Sequence, residues 1–319
     1  MPSVRPLRIA TRASELALRQ ARLVQSALAA RGVTAELVSL KTTGDKHLDV
    51  PLSAIGAKGL FTRELEEALI AGRVDCCVHS LKDLPTDSPP ELTITAILER
   101  EDPRDVLVVN DAIVVESLKD IPRGSRVGTS SLRRRAQLLA ARPDLDVVEL
   151  RGNVPTRLHK VDEGQVHAAV LAAAGLRRLG VHQRIDVWLE APAWLPAAGQ
   201  GAIAVQGRIG DERVVAALTP LNHEPTATAV RAERALLADL EGGCQVPIGA
   251  LAMPTAHGLV LHAFIGDPSG RRLISGSEPV GDPPERSGER LAAHLKSRGG
   301  DEILASLRGE QRLPSPQPQ

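Results

Sequence analysis

Short apolar runs, each ending in a cluster of hydrogen-bond donors and then giving way to a helical face, most limit how this chain can fold. Leu7-Arg8-Ile9-Ala10 reads as a short buried strand. Residues 14–31 carry apolar side chains at 16, 17, 18, 21, 23, 24, 27 and 28, one face of a helix closed by Gly32. Residues 35–41 repeat the strand signal. After a glycine-bearing loop, residues 60–70 repeat the helix, with Gly72 just past its end. Residues 74–80 and 92–98 read as further strands. This alternation predicts an α/β layer structure with a mainly parallel sheet.

Glu99-Arg100-Glu101-Asp102-Pro103-Arg104-Asp105 is polar, contains proline and reads as a hinge. A second α/β pattern follows, with strands at 106–109, 126–128, 146–150 and 167–171 and helices at 131–141, 154–163 and 174–179. Ala191-Pro192-Ala193-Trp194-Leu195-Pro196 marks another crossing, and residues 201–207 read as a strand returning to the first sheet. A third unit begins near Leu221, with helices at 226–240, 285–298 and 302–307 and antiparallel strands at 259–265 and 272–277. The expected domains are 4–99 with 200–219, then 104–195, then 220–309, with a disordered tail at 310–319. Two α/β units joined by a hinge suit a fold that closes over a small ligand.

Lys+Arg and Asp+Glu both number 39 in the 319 residues, which argues against a bulk nucleic-acid or membrane-surface binder but leaves room for a local basic cleft. Only seven of the cations are lysine. Codon bias explains part of the arginine excess; arginines gripping carboxylates bidentately would explain another part. The four aromatics, Phe61, Trp188, Trp194 and Phe264, cannot build a base-stacking platform. No apolar h-region opens the chain and no apolar run approaches about 18 residues, so a cytoplasmic protein without a membrane span is expected. Three cysteines make no disulfide framework, and no zinc-type spacing points to a metal.

The donors at the strand ends carry the chemistry. Gly128-Thr129-Ser130-Ser131-Leu132-Arg133-Arg134 joins a strand to a helix start, where free N–H groups and the helix dipole favour an anion. The plain alternative is an N-cap followed by a solvated face. Arg151-Gly152-Asn153-Val154-Pro155-Thr156-Arg157 follows another strand; Arg12 and Ser14 follow the first; Ser80, Lys82 and Asp83 follow a third. Open α/β sheets bind ligands at such ends, so a polyanion-binding cleft is the leading reading, against surface pairing of the arginines with Asp or Glu. Asp83 would be the one negative group facing the ligand, or merely a turn cap before Pro85. Glu241-Gly242-Gly243-Cys244 presents a lone cysteine on a loop, a nucleophile or attachment point, or a buried small hydrophobe. Cys76 and Cys77 read as core. A non-enzymatic two-lobed anion binder and an arginine-rich DNA-binding regulator are the rival readings; the second lacks a basic excess.

Taken together these segments resemble the porphobilinogen deaminase (hydroxymethylbilane synthase) family. The matches are Arg8-Ile9-Ala10-Thr11-Arg12-x-Ser14, Gly59-Leu60-Phe61, His79-Ser80-Leu81-Lys82-Asp83-Leu84-Pro85, Glu101-Asp102-Pro103-Arg104-Asp105, Gly128 to Arg134, Arg151-Gly152-Asn153-x-x-Thr156-Arg157, Ala174-Gly175-Leu176, Pro196-x-x-Gly199-Gln200-Gly201, Leu221-Asn222-His223 and Glu241 to Gly249. They run in order from about residue 7 to 308.

The resemblance implies two periplasmic-binding-protein-like, doubly wound α/β domains plus a smaller α+β C-terminal domain with an antiparallel sheet. It implies a transferase of heme and porphyrin biosynthesis that condenses four porphobilinogen molecules, with loss of ammonia, into the linear tetrapyrrole hydroxymethylbilane. The growing chain is primed by one dipyrromethane cofactor per chain, bound as a thioether to Cys244. Asp83 is then the catalytic carboxylate, stabilising cationic pyrrole states. Ser14, Ser80, Lys82, Thr129, Ser130, Ser131, Arg133, Arg134 and Arg157 would hold the cofactor. Arg12, Arg151, Arg157, Arg178, Lys58 and Gln200 would hold substrate. A monomer is expected, with hand-off of product to uroporphyrinogen-III synthase. Ala54 departs from the lysine of some members, and Pro155 would stiffen the loop between Arg151 and Arg157.

Overall fold

A computed structural model describes residues 5–42, 62–240 and 246–312. β1 (Leu7–Arg12), β2 (Ala35–Leu40), β3 (Cys76–Ser80), β4 (Leu92–Ile97) and β10 (Ile203–Arg208) form one sheet, ordered β2-β1-β3-β10-β4. β5 (Asp105–Val109), β6 (Arg126–Gly128), β7 (Asp146–Val148), β8 (Ala168–Ala172) and β9 (Val187–Leu189) form a second, ordered β7-β6-β8-β5-β9. The strand expected to return to the first sheet does so as β10.

Both sheets are mixed, not mainly parallel. β1 is parallel to β2 and β3, but β10 is antiparallel to β3 and β4. β6 is parallel to β7 and β8, but β5 is antiparallel to β8 and β9. The crossings are the reason. Each reversed strand is the first after the chain changes sheets, and it enters at the end where its neighbours finish: Ile203 pairs with Ser80, and Asp105 with Ala172. A strand entered at that end must run away from it. Hydrophobic periodicity carries no information about direction.

Helices α1 (Glu15–Ala29), α2 (Arg63–Ile70) and α6 (Glu212–Leu218) pack on the first sheet, and α3 (Leu132–Ala141), α4 (Val154–Asp162) and α5 (Ala173–Leu179) on the second. α1 starts at Ser14, whose Oγ accepts from the Ala17 amide, and it buries Ala21, Val24 and Leu28 against Leu7 and Ile9. Fully burying one such leucine contributes about 1.5–3 kcal/mol. α1 and α5 bring the two lobes together: a Cβ at Gly175 would sit 3.8 Å from Leu16 Cδ2.

The third unit packs α7 (Glu224–Asp239), α8 (Pro284–Leu295) and α9 (Asp301–Arg312) on the antiparallel sheet β11 (Ile248–Thr255), β12 (Gly258–Gly266) and β13 (Leu273–Pro279). α7 and α8 touch backbone to backbone: a Cβ at Gly288 would lie 2.4 Å from Ala232 O. The sequence reading missed β9, β11 and α6, which are short or rich in small residues. α9 reaches Arg312, into the stretch read as tail. No helix among the described residues is long and apolar enough to cross a membrane.

The stretch 99–105 is more firmly held than a hinge reading suggests. Asp105 is the first residue of β5 and fully buried. Arg100 pairs through both Nη atoms with the buried Glu233 of α7, at 2.6 and 3.0 Å, and its Nε donates to Gln200 O. Glu233 also accepts from the Gly199 and Ala252 amides, so one carboxylate joins both crossings to the third unit.

Candidate active site

Two small adjoining cavities occupy the cleft. One, of about 70 Å³, is lined by Arg12, Ser14, Gln20, His79, Ser80 and Asp83. The other, of about 90 Å³, is lined by Gln20, Ser80, Lys82, Arg134, Arg157, Arg178 and Gln200, among others. Arg12 ends β1, Ser80 ends β3, and Leu81–Asp83 form one turn of 3-10 helix directly after it. This turn aims successive side chains to different cavities, Lys82 to one and Asp83 to the other. Of the donors predicted at the strand ends, Arg12, Ser14, Ser80, Lys82, Arg134 and Arg157 line these two cavities.

Burial weakens three of the cleft's cations. Burial pulls the Lys82 ammonium down to about 8, with Asp83 resisting and Arg134 reinforcing the fall. Burial likewise lowers Arg157 and Arg178 to about 10, Arg134 adding to the effect at Arg157 and Glu101 opposing it at Arg178. Among the described residues neither Arg157 nor Arg178 forms an ion pair. Arg157 Nε donates to Gly152 O at 2.8 Å, and Arg178 Nη2 to Gly201 O at 2.6 Å. Lys82 Nζ donates to Gln200 Oε1 at 3.3 Å.

Arg133 and Arg134 differ from expectation. Both are buried and clamp Asp105: Arg133 Nη1 lies 2.7 Å from Oδ2, and Arg134 Nη2 2.7 Å from Oδ1. Trp194 Nε1 and Gln200 Nε2 also donate to Asp105, each at 2.9 Å. Burial would raise this carboxyl, but the two guanidinium charges and their hydrogen bonds hold it far below the usual carboxylate range. Arg134 still reaches the cleft wall; Arg133 lines neither cleft cavity. This arginine–carboxylate pairing lies in the core; other arginines pair at the surface, as the alternative reading had it, among them Arg19 with Glu15 and Arg63 with Glu67.

Thr129, Ser130 and Ser131 are engaged locally. Thr129 Oγ1 accepts from the Ser131 amide, Ser130 Oγ donates to Leu150 O, and Ser131 Oγ caps α3 through the Arg134 amide. They and Arg151, whose Nε meets Glu149, line neither cavity. Pro155 stiffens no loop. It lies in the first turn of α4, after the Asn153 cap, where a missing N–H costs nothing. Cys244, Lys58, Ala54 and the Gly59-Leu60-Phe61 motif lie outside the described residues.

The sequence reading missed Gln20, which lies in both cavities and exchanges hydrogen bonds with Ser80 at 2.7 and 3.1 Å. Its position on the buried face of α1 was readable; its aim was not. Asp105 and Glu233 were also missed.

A recessed, cation-lined cleft between two α/β lobes is the geometry of a protein that holds a small polyanion. Comparison with known proteins narrows the class. A family model described as "Porphobilinogen deaminase, dipyromethane cofactor binding domain" matches residues 7–216, and the family's C-terminal domain model matches 227–297. A porphobilinogen deaminase of Geobacter sulfurreducens is 49% identical over 305 residues, covering 94% of each chain, and one of Moorella thermoacetica is 51% identical over 310 residues, covering 95% of this chain and 97% of its own. A solved methionine binding protein, MetQ, is 16% identical, covers 67% of this chain and 89% of its own, and gives a TM-score of 0.43, too loose to bear on the ligand. The chain belongs to the porphobilinogen deaminase family.

Proposed function

We propose that Asp83, Lys82 and the cleft arginines carry out the family's reaction on a dipyrromethane cofactor tethered at Cys244. The family's enzymes are transferases that join four porphobilinogen molecules head to tail and release ammonia. The observation that carries the residue assignment is the pair of desolvated guanidinium groups, Arg157 and Arg178, which line one cavity with Lys82 and form no ion pair among the described residues. Buried cations left so are costly unless a ligand completes them.

That donor set fits a polycarboxylate. Each pyrrole of substrate or cofactor bears an acetate and a propionate, and guanidinium forks suit such groups. Ser80, Lys82, Arg134 and Arg157 would hold the cofactor, with Cys244 as its attachment. When bound, the cofactor supplies the free pyrrole carbon to which the first unit is joined. Arg12, Ser14 and Arg178 would orient the incoming porphobilinogen. Asp83 shares a cavity with Arg12 and Ser14, and the cavity beside it is lined by Lys82, Arg134, Arg157 and Arg178, so its carboxylate would face the ligand next to the cleft's cations. There it stabilises the positive charge that develops as ammonia leaves and takes up protons at the ring nitrogens. Without it, the cleft would oppose that charge. The same reading makes the protein a cytoplasmic monomer that hands its product to uroporphyrinogen-III synthase.

Intact mass of the purified protein beside a Cys244→Ser variant tests this reading. Wild type heavier by two pyrrole units, with the variant at its bare mass, supports it. Bare wild type that gains no mass on incubation with porphobilinogen overturns it.

A further inference from the structure

Arg234 lies on α7, the helix that leads to the segment containing Cys244. Its Nη1 donates to Leu84 O at 2.9 Å and its Nη2 to Pro85 O at 2.8 Å. These are the first two carbonyls beyond Asp83. Burial pulls this guanidinium down to about 10, and among the described residues it forms no ion pair. Desolvating a cation without a counter-charge is unfavourable, so its use on two successive carbonyls calls for an explanation.

The turn it grips is held at each end by a backbone hydrogen bond. Leu81 N donates to Ala202 O at 3.0 Å, and Leu84 N to Leu81 O at 3.1 Å. Leu81 and Leu84 pack on Ala227 and Val230 of the same α7. α7 thus supports the turn from beneath with apolar contacts and holds its exit with a fork. Arg234 lines neither cleft cavity, so it is not one of the ligand's own cations. It borders a separate cavity of about 400 Å³, beside Thr95, Asn222 and Glu285, so water can replace a shortened side chain there.

We infer that Arg234 is a positioning residue whose fork fixes the aim of Lys82 and Asp83 and couples it to the helix leading to Cys244. The inference rests on the reading of Asp83 given above.

Arg234→Ala and Arg234→Gln, prepared as cofactor-loaded enzymes, test it. Arg234→Ala should lower kcat roughly 10- to 100-fold, the scale of an ångström-size misplacement of a reacting group. KM should stay within about threefold, because no ligand contact is lost. Cofactor content by mass should be unchanged. The neutral Gln, able to donate to a carbonyl, should recover part of the loss; a role through charge would give none. The amides of residues 81–84 and of Thr86 should exchange hydrogen faster in Arg234→Ala. In an Asp83→Glu background the further cost of Arg234→Ala should shrink, since both changes act on one group.

A kcat within about threefold of wild type, a loss confined to KM, or full additivity with Asp83→Glu overturns the inference. If Asp83→Asn alone keeps full activity, the reading of Asp83 has failed, and exchange at 81–84 and Thr86 still judges the fork. Should Arg234→Ala not fold, Arg234→Gln is judged by its amide exchange and its additivity with Asp83→Glu: unchanged exchange or full additivity overturns the inference.

Discussion

Lys82 and Asp83 are neighbours in sequence, yet their surroundings pull them toward opposite tasks. Lys82 sits among other cations and loses water; its ordinary value of 10.5 falls to about 8. The unfolded chain therefore holds this proton more tightly than the folded one between about 8 and 10.5. The desolvated Lys82 ammonium disfavours folding fully below about 8, and the penalty disappears as pH rises toward 10.5. A carboxylate bound beside the ammonium would raise it again. In cofactor-free Cys244→Ser protein with isotopically methylated lysines, the Lys82 signal should titrate near 8 and move up when porphobilinogen is added. An ordinary midpoint, or one indifferent to porphobilinogen, rules this out. Residues of this kind were legible because donors at the carboxyl ends of strands have few structural uses. Asp105 and Glu233 were not, because a buried carboxylate is recognised by the cations around it, and those come from distant segments.

β5 and α3 are held together by charge as much as by apolar contact. Arg133 and Arg134 point inward from one face of α3 and share Asp105 at the start of β5. Asp105→Asn would leave two buried guanidinium groups facing a neutral amide. Breaking a buried pair from one side costs about 3–5 kcal/mol, so urea unfolding should show a loss of that order. A loss below about 1 kcal/mol would mean that the pair is stabilised elsewhere. At this scale helix faces were legible from their periodicity, and β11 was not. Its inward residues are Ile248, Ala250 and Ala252, and at Gly249 a Cβ would meet Phe264 Cε1 at 2.4 Å. A strand built from small residues to accommodate a ring across the sheet looks like a loop in sequence.

In the whole molecule, the cleft cavities of about 90 and 70 Å³ are small beside the roughly 300–1,000 Å³ of ordinary small-molecule sites. We expect the lobes to part as the chain lengthens by four rings. Cysteines placed across the α1–α5 contact, once oxidised, should stall elongation at short adducts visible by mass, and reduction should release them. Full turnover by the locked protein would rule out lobe movement. The division into α/β units was legible in the alternation of strands and helices. The anchoring of the presumed hinge was not, because Arg100 meets Glu233 from another unit.

The two crossings also order events during synthesis. β10 fills the fourth place of a sheet whose other strands are all encoded before the second sheet begins. Ile203 and Val205, part of the first lobe's core, arrive with it. A ribosome emitting this chain delivers the second lobe as one continuous piece, able to close on itself as it emerges. The first lobe must wait. The lobe made first is finished last, and during that interval β3 and β4 offer unpaired edges to any strand that reaches them.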